Sequence, residues 1–90
     1  MMKLKYEFAV REIVDEYVMV PLGASALEFS GMISTSETGA FLVEALKHDV
    51  TREELLNKVL ENYDVDEQTA AADLDEFLGL LRKLNVLIEE

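Results

Sequence analysis

The sequence predicts an α+β domain in which a three-stranded antiparallel sheet is followed by three helices. Three observations carry this. Short runs rich in β-branched and aromatic residues fill the first third of the chain, the apolar period changes from two to a helical one near Ser34, and N-capping residues punctuate the remainder of the chain. At 90 residues the chain is read as one domain, 1-90, around a single core. Half of its residues are hydrophobic and 30% are charged, a balance that belongs to a compact soluble fold and not to a disordered segment.

The predicted strands are Phe8 to Val14, Tyr17 to Leu22 and Ala26 to Ile33, separated by Asp15-Glu16 and by Gly23-Ala24-Ser25. In the second run Val18, Val20 and Leu22 share one face and Tyr17 and Met19 the other, so both faces are largely apolar. In the third, Leu27, Phe29, Gly31 and Ile33 share a face, opposite Glu28, Ser30 and Met32. Pro21 has no amide proton for a ladder and belongs near a strand end, or where its nitrogen faces outward.

Ser36 caps the first predicted helix, whose stripe is Phe41, Leu42, Ala45 and Leu46 and which ends near Lys47 and His48. Thr51-Arg52-Glu53-Glu54 has the form of a capping box and opens a second helix lined by Leu55, Leu56, Val59, Leu60 and Tyr63. Asp66 is placed as the third N-cap. Ala70, Leu74, Phe77, Leu81 and Leu84 then recur at helical spacing, with Leu78 widening the stripe, to make the longest helix. Asn85 suits a left-handed C-cap, after which Val86, Leu87 and Ile88 fold an apolar tail back onto the body.

The net charge is -11. Residues 1–33 hold three Lys or Arg against five Asp or Glu, and residues 34–90 hold five against fourteen, so the helical part is strongly acidic. Such a field repels phosphate backbones and anionic headgroups, which argues against nucleic acid and membrane surfaces as partners. The first residues lack the long apolar stretch of a signal peptide, and the longest uncharged run, Tyr17 to Leu27, contains Pro21 and Gly23 and is far short of a membrane span. A cytoplasmic location is expected.

Little in the chain suggests catalysis. There is no Cys and one His, so thiolate chemistry, disulfides and imidazole clusters are excluded, and neither a metal nor a cofactor is expected. Asp73, Asp75 and Glu76 read as a solvated helix face, and Asp64, Asp66 and Glu67 as a turn and cap without the loop of a calcium site. His48 reads as a helix-end residue favoured by the dipole. Ser30, Ser34 and Ser36 stand outside any nucleophile motif, and no phosphate-binding loop is present. Three helices with a small sheet also make a winged helix-turn-helix outline, and a transcription regulator is the alternative reading. Such a protein needs Lys and Arg on the helix that enters the groove, whereas Arg52, Lys58, Arg82 and Lys83 here stand among many acids.

Several strings stand in a characteristic order: Val10-Arg11-Glu12-Ile13-Val14-Asp15-Glu16-Tyr17-Val18, Ser36-Glu37-Thr38-Gly39-Ala40, Thr51-Arg52-Glu53-Glu54-Leu55, Tyr63-Asp64-Val65-Asp66 and Asp73-Leu74-Asp75-Glu76-Phe77-Leu78. Their order and spacing, over about residues 8 to 88, resemble the coenzyme PQQ synthesis protein D (PqqD) family, also called the RiPP precursor peptide recognition element. It implies a winged-helix-like domain that is not an enzyme. It also implies a peptide chaperone that binds the leader segment of a ribosomally made precursor peptide and presents it to a modifying enzyme such as a radical S-adenosylmethionine maturase.

The implied binding mode is β-strand addition at the third strand, in a groove against the third helix. Carried onto this sequence, the edge is Ala26, Leu27, Glu28, Phe29, Ser30, Gly31, Met32 and Ile33, and the groove wall is Ala70, Asp73, Leu74, Phe77, Leu78 and Leu81. The apolar members also read as core, and Asp73 and Glu28 also read as solvated surface. Homodimerisation through the same sheet edge is a further alternative. Two departures from the family pattern stand out. His48-Asp49-Val50 replaces a Gly-containing turn, and Gly79 lies inside the third helix, where glycine costs about 1 kcal/mol relative to Ala. Gly79 either permits the close approach of a partner or is simply tolerated.

Overall fold

The computed structural model describes residues 1–29 and 31–90. Its elements are β1 (Met2–Leu4), β2 (Phe8–Ile13), β3 (Glu16–Pro21), α1 (Ser25–Glu28), β4 (Ile33–Thr35), α2 (Glu37–Ala45), α3 (Arg52–Asn62), α4 (Glu67–Lys83) and β5 (Leu87–Glu89). The expected α+β class is observed, with an antiparallel sheet in the order β2-β3-β4 and three successive helices after it. Pro21 ends β3 opposite Phe8, where the ladder needs no further donor from it.

The third predicted strand is corrected. Ala26, Leu27 and Glu28 lie in the single helical turn α1, Gly31 and Met32 lie in the connection, and only Ile33 belongs to a strand; Ser30 lies outside the described residues. Two causes overrode the alternation. Gly23 and Gly31 take positive φ of 54° and 110° and turn the chain on either side, and Ala-Leu-Glu is a run of good helix formers. Leu27 is consequently 90% exposed. The strand that completes the sheet is β4, paired through Met19↔Ile33, Val18↔Ser34 and Tyr17↔Thr35.

A second sheet, unexpected from the pattern, pairs β1 with β5 antiparallel. It gives the apolar tail after α4 its partner, and Met2 also bridges to Val50 in the turn between α2 and α3. The end of α4 is a Schellman motif. Asn85 at φ 58° donates to the Arg82 carbonyl and Val86 donates to that of Leu81, which turns the chain into β5.

Both predicted N-caps with hydroxyl side chains form their bonds. Ser36 Oγ accepts from Gly39 N at 3.0 Å, and Thr51 and Glu54 close the capping box at 3.1 and 3.0 Å. Asp66 occupies its N-cap position, but its carboxylate accepts no bond from the first turn. The core lies between the sheet and the three longer helices, where Met19, Leu42, Leu46, Leu55, Leu74, Leu78, Leu81 and Val86 are fully buried. Phe41 and Tyr63 meet edge to face at 5.4 Å between α2 and the end of α3.

Gly39 decides how closely α2 approaches its neighbours. A Cβ at that position would overlap Thr35 Oγ1 and stand 2.8 Å from Phe77 Cδ1. Gly39→Ala is therefore expected to lower stability by roughly 1–3 kcal/mol, as overpacking does, measured by urea denaturation.

The hairpin turn shows the opposite case. Val14 and Asp15 form the two-residue link between β2 and β3 with φ of 38° and 63°. Positive φ at both central positions suits the twist of the strands and disfavours a β-branched residue. Val14 is 89% exposed, so no packing compensates it. Val14→Asn should raise stability by about 1 kcal/mol, the scale of the left-handed penalty it relieves, in the same denaturation experiment.

Candidate functional site: a groove between the β4 edge and α4

Among the described residues β4 pairs only with β3, so its other side is an open strand edge. Ile33 is buried in the core, Ser34 is exposed and Thr35 is half-buried. Facing this edge is α4, and the two enclose a groove of about 580 Å³. Its strand side is made by Ser34, Thr35, Ser36 and Thr38, and its helix side by Asp73, Glu76, Phe77, Gly79, Leu80 and Lys83.

The local sequence explains both walls. On α4 the spacing of Asp73, Glu76, Leu80 and Lys83 is three, four and three, a row beside the core row of Ala70, Leu74, Phe77 and Leu81. On the other wall the chain passes from a three-residue strand directly into a helix cap, which concentrates hydroxyl side chains there. The helix row is acidic at one end and basic at the other. With a rise of about 1.5 Å per residue, Asp73 and Lys83 stand about 15 Å apart along the axis, the length of four or five residues of an extended peptide.

Two ion pairs hold this helix. Arg52 on α3 donates to both carboxylate oxygens of Asp75, at 2.8 and 2.9 Å. Arg82 donates to Glu89 Oε1 on β5 at 2.9 and 2.8 Å. Hydrogen bonding from the arginine is the main cause that lowers each partner carboxyl from its ordinary value. At the strand side Tyr17, opposite Thr35 in register, donates to Glu37 Oε1 at 3.4 Å. Partial burial first, then the Glu12 and Glu37 carboxylates, push its phenol up from the ordinary value.

The structure gathers only two of the residues proposed from sequence into this groove, Asp73 and Phe77. Ala70, Leu74, Leu78 and Leu81 are fully buried in the core behind the wall. Ala26, Leu27 and Glu28 are exposed on α1, Gly31 and Met32 are exposed in the connection, and Ile33 points into the core. Phe29 packs instead against Tyr6 and Phe8, with ring centres 6.0 and 5.8 Å away. That cluster adjoins a smaller cavity of about 310 Å³ lined by Tyr6, Glu7, Phe8, Leu22 and Lys47. Ser34, Thr35, Ser36, Thr38, Glu76, Leu80 and Lys83 also line the groove but are not among the peptide-binding residues expected from sequence, and Gly79, expected either to admit the close approach of a partner or to be simply tolerated, lines it too. The legible signal for the helix side was the three-four-three row next to the core stripe.

His48, just beyond α2, is not among the groove residues. No cluster of three or more His, Asp or Glu that could hold a metal occurs among the described residues, and no helix among them is long and apolar enough to cross a membrane.

A three-stranded sheet with an open edge beside one long helix defines a domain built around a strand-shaped groove. The chain belongs to the coenzyme PQQ synthesis protein D (PqqD) family, whose model matches residues 16–87. No curated protein gives a significant match. Two solved structures share the fold. The complex of TbiB1 with the TbiA(beta) leader peptide has a TM-score of 0.67 at 23% identity, covering 98% of this chain and 96% of that one. Lasso peptide synthetase B1 complexed with the leader peptide has a TM-score of 0.64 at 15% identity, covering 98% of both chains.

The lowered Asp75 carboxyl has a signed consequence for stability. A carboxyl held below its ordinary value in the fold stabilises above that value, and the contribution is lost as pH falls through the folded one. The stability difference between the wild type and Asp75→Asn should thus be full at neutral pH, shrink below about pH 4 and vanish in stronger acid. Urea titrations across that range measure it.

Proposed function

We propose that this chain is a non-catalytic recognition domain that binds the leader segment of a ribosomally synthesised precursor peptide by strand addition to β4. In this reading it delivers the peptide to a modifying enzyme, such as a radical S-adenosylmethionine maturase. The observation that carries the reading is the groove between an open strand edge and α4. A strand edge provides amide and carbonyl groups for an extended peptide, and the helix opposite provides side chains that sample every second peptide residue. Membership of the PqqD family supports it, as do the two fold neighbours in complexes with leader peptides.

The groove's charges refine the partner. Asp73 and Glu76 favour Lys or Arg in the peptide near the start of α4, and Lys83 favours an acidic residue about four positions away. The hydroxyls of Ser34, Thr35 and Thr38 offer hydrogen bonds, while Ser36 Oγ is already engaged as a helix cap. With a net charge of -11 a duplex DNA partner would meet repulsion over most of the surface.

Fluorescence polarisation with the leader half of a small open reading frame encoded beside the gene tests this, with duplex DNA as the control. Saturable micromolar binding, about -8 kcal/mol, with no response to DNA is expected. Leu80→Gln, on the half-buried groove wall, should weaken the peptide at least tenfold while leaving the thermal midpoint nearly unchanged. DNA binding with a steep salt dependence and no peptide response would overturn the proposal.

A further inference from the structure

The sheet has two edges, and the groove occupies one of them. Among the described residues β2 pairs with β3 alone, so its other side is open along Phe8–Ile13. The hairpin fixes which residues face outward there. Its two-residue link makes Ile13↔Glu16 a hydrogen-bonded pair, and bonding alternates from it through Arg11 and Ala9 to Glu7, whose carbonyl accepts from Leu22 N at 2.9 Å. Phe8, Val10 and Glu12 are thereby left with amides and carbonyls aimed away from the sheet. The usual guards of an open edge are missing from its middle. No Pro or bulge interrupts β2, and Ala9 and Val10 carry no charge.

The geometry points to a second copy of this chain as the occupant, in an antiparallel β2–β2 pair with Ala9 on the two-fold axis. Outward-facing residues must bond to outward-facing residues, which puts the axis on a residue and not between two. An axis on Phe8 sets Arg11 opposite Lys5 of the second copy, and an axis on Arg11 or Glu12 sets like charges opposite each other. An axis on Val10 leaves Arg11 opposite Ala9 and Glu7 opposite Ile13. With Ala9 on the axis, Arg11 of each copy stands opposite Glu7 of the other and Val10 opposite Phe8, so charge meets opposite charge and apolar meets apolar. Glu7 and Arg11 are both exposed, on the sheet face turned away from buried Phe8.

The distribution of charge favours the same side. Two molecules of net charge -11 repel each other, and residues 1–33 hold three Lys or Arg against five Asp or Glu, where residues 34–90 hold five against fourteen. The joined sheets then run β4-β3-β2-β2-β3-β4. Both β4 edges stay open at the far ends, about 24 Å apart across five strand spacings.

The natural lack of Cys makes crosslinking a specific test. Ala9→Cys meets its own copy in a non-hydrogen-bonded pair, with Cα atoms about 4.5 Å apart, and should form a disulfide-linked dimer under mild oxidation. Val10→Cys, and Ser34→Cys on the β4 edge, should not. Sedimentation equilibrium of the natural sequence from micromolar to millimolar concentration should show a reversible monomer–dimer equilibrium. Glu7→Arg and Arg11→Glu each set like charges opposite one another and should weaken it about tenfold. The double variant restores both pairs with the signs exchanged and should recover the dimer. Thermal melts of the variants check that each remains folded. A monomer at every concentration would overturn the proposal, as would crosslinking through Val10 or Ser34 in place of Ala9, or single charge variants that associate like the natural sequence. Peptide binding at β4 stands or falls separately, since it uses the other edge.

Discussion

The close approach of α2 to Phe77 and Thr35, open only to a residue without a Cβ, is the constraint on which the groove depends. Gly39 sits in the first turn of α2, and its amide donates to the Ser36 cap that starts the helix. The same residue thus completes the cap and lets the helix N-terminus rest on one residue from each wall. Phe77 is almost wholly buried yet contributes to the groove surface, so the wall is continuous with the core. A groove built this way keeps its width without a ligand, because changing it means repacking close-packed side chains.

Around that contact the remaining interactions orient α4. Its inner row is buried against α2 and α3, Arg52 grips Asp75 on the outer face, and the Schellman turn and the Arg82–Glu89 pair return the chain to β5. The charged contacts are solvent-exposed and contribute modestly, whereas burial of the apolar row supplies most of the driving force. The outer row, Asp73, Glu76, Leu80 and Lys83, is left free to present charge and apolar surface to the groove. The helix thus anchors one face in the core and displays an adjacent one beside the open edge of β4.

The segment from Ala26 to Ile33 shows where local pattern loses. Apolar residues alternate along it, yet a turn of helix and a left-handed glycine occupy the space, and the edge strand begins at the last residue of the expected run. Alternation over a few residues competes poorly with helix-forming Ala-Leu-Glu between two glycines, and strand pairing is decided by a partner distant in sequence. Ile33 finds its register opposite Met19, fourteen residues earlier. The β1–β5 pair was illegible in the sequence for the same reason, since each strand has three residues and its partner lies at the other end of the chain.

By itself the sequence determined the α+β class, the three long helices and most of their caps, because periodicity and capping act within one or two turns. It also determined the acidic character and the lack of thiol and histidine clusters, since these are matters of composition. Tertiary structure decided which residues form the third strand, that four of the six expected wall residues are core, and that the adjacent row of α4 faces the groove. The reason is geometric. A row on a helix is apolar or polar by sequence, but which side of it a neighbouring strand leaves open depends on how closely the elements pack, and here a single glycine in α2 sets that distance.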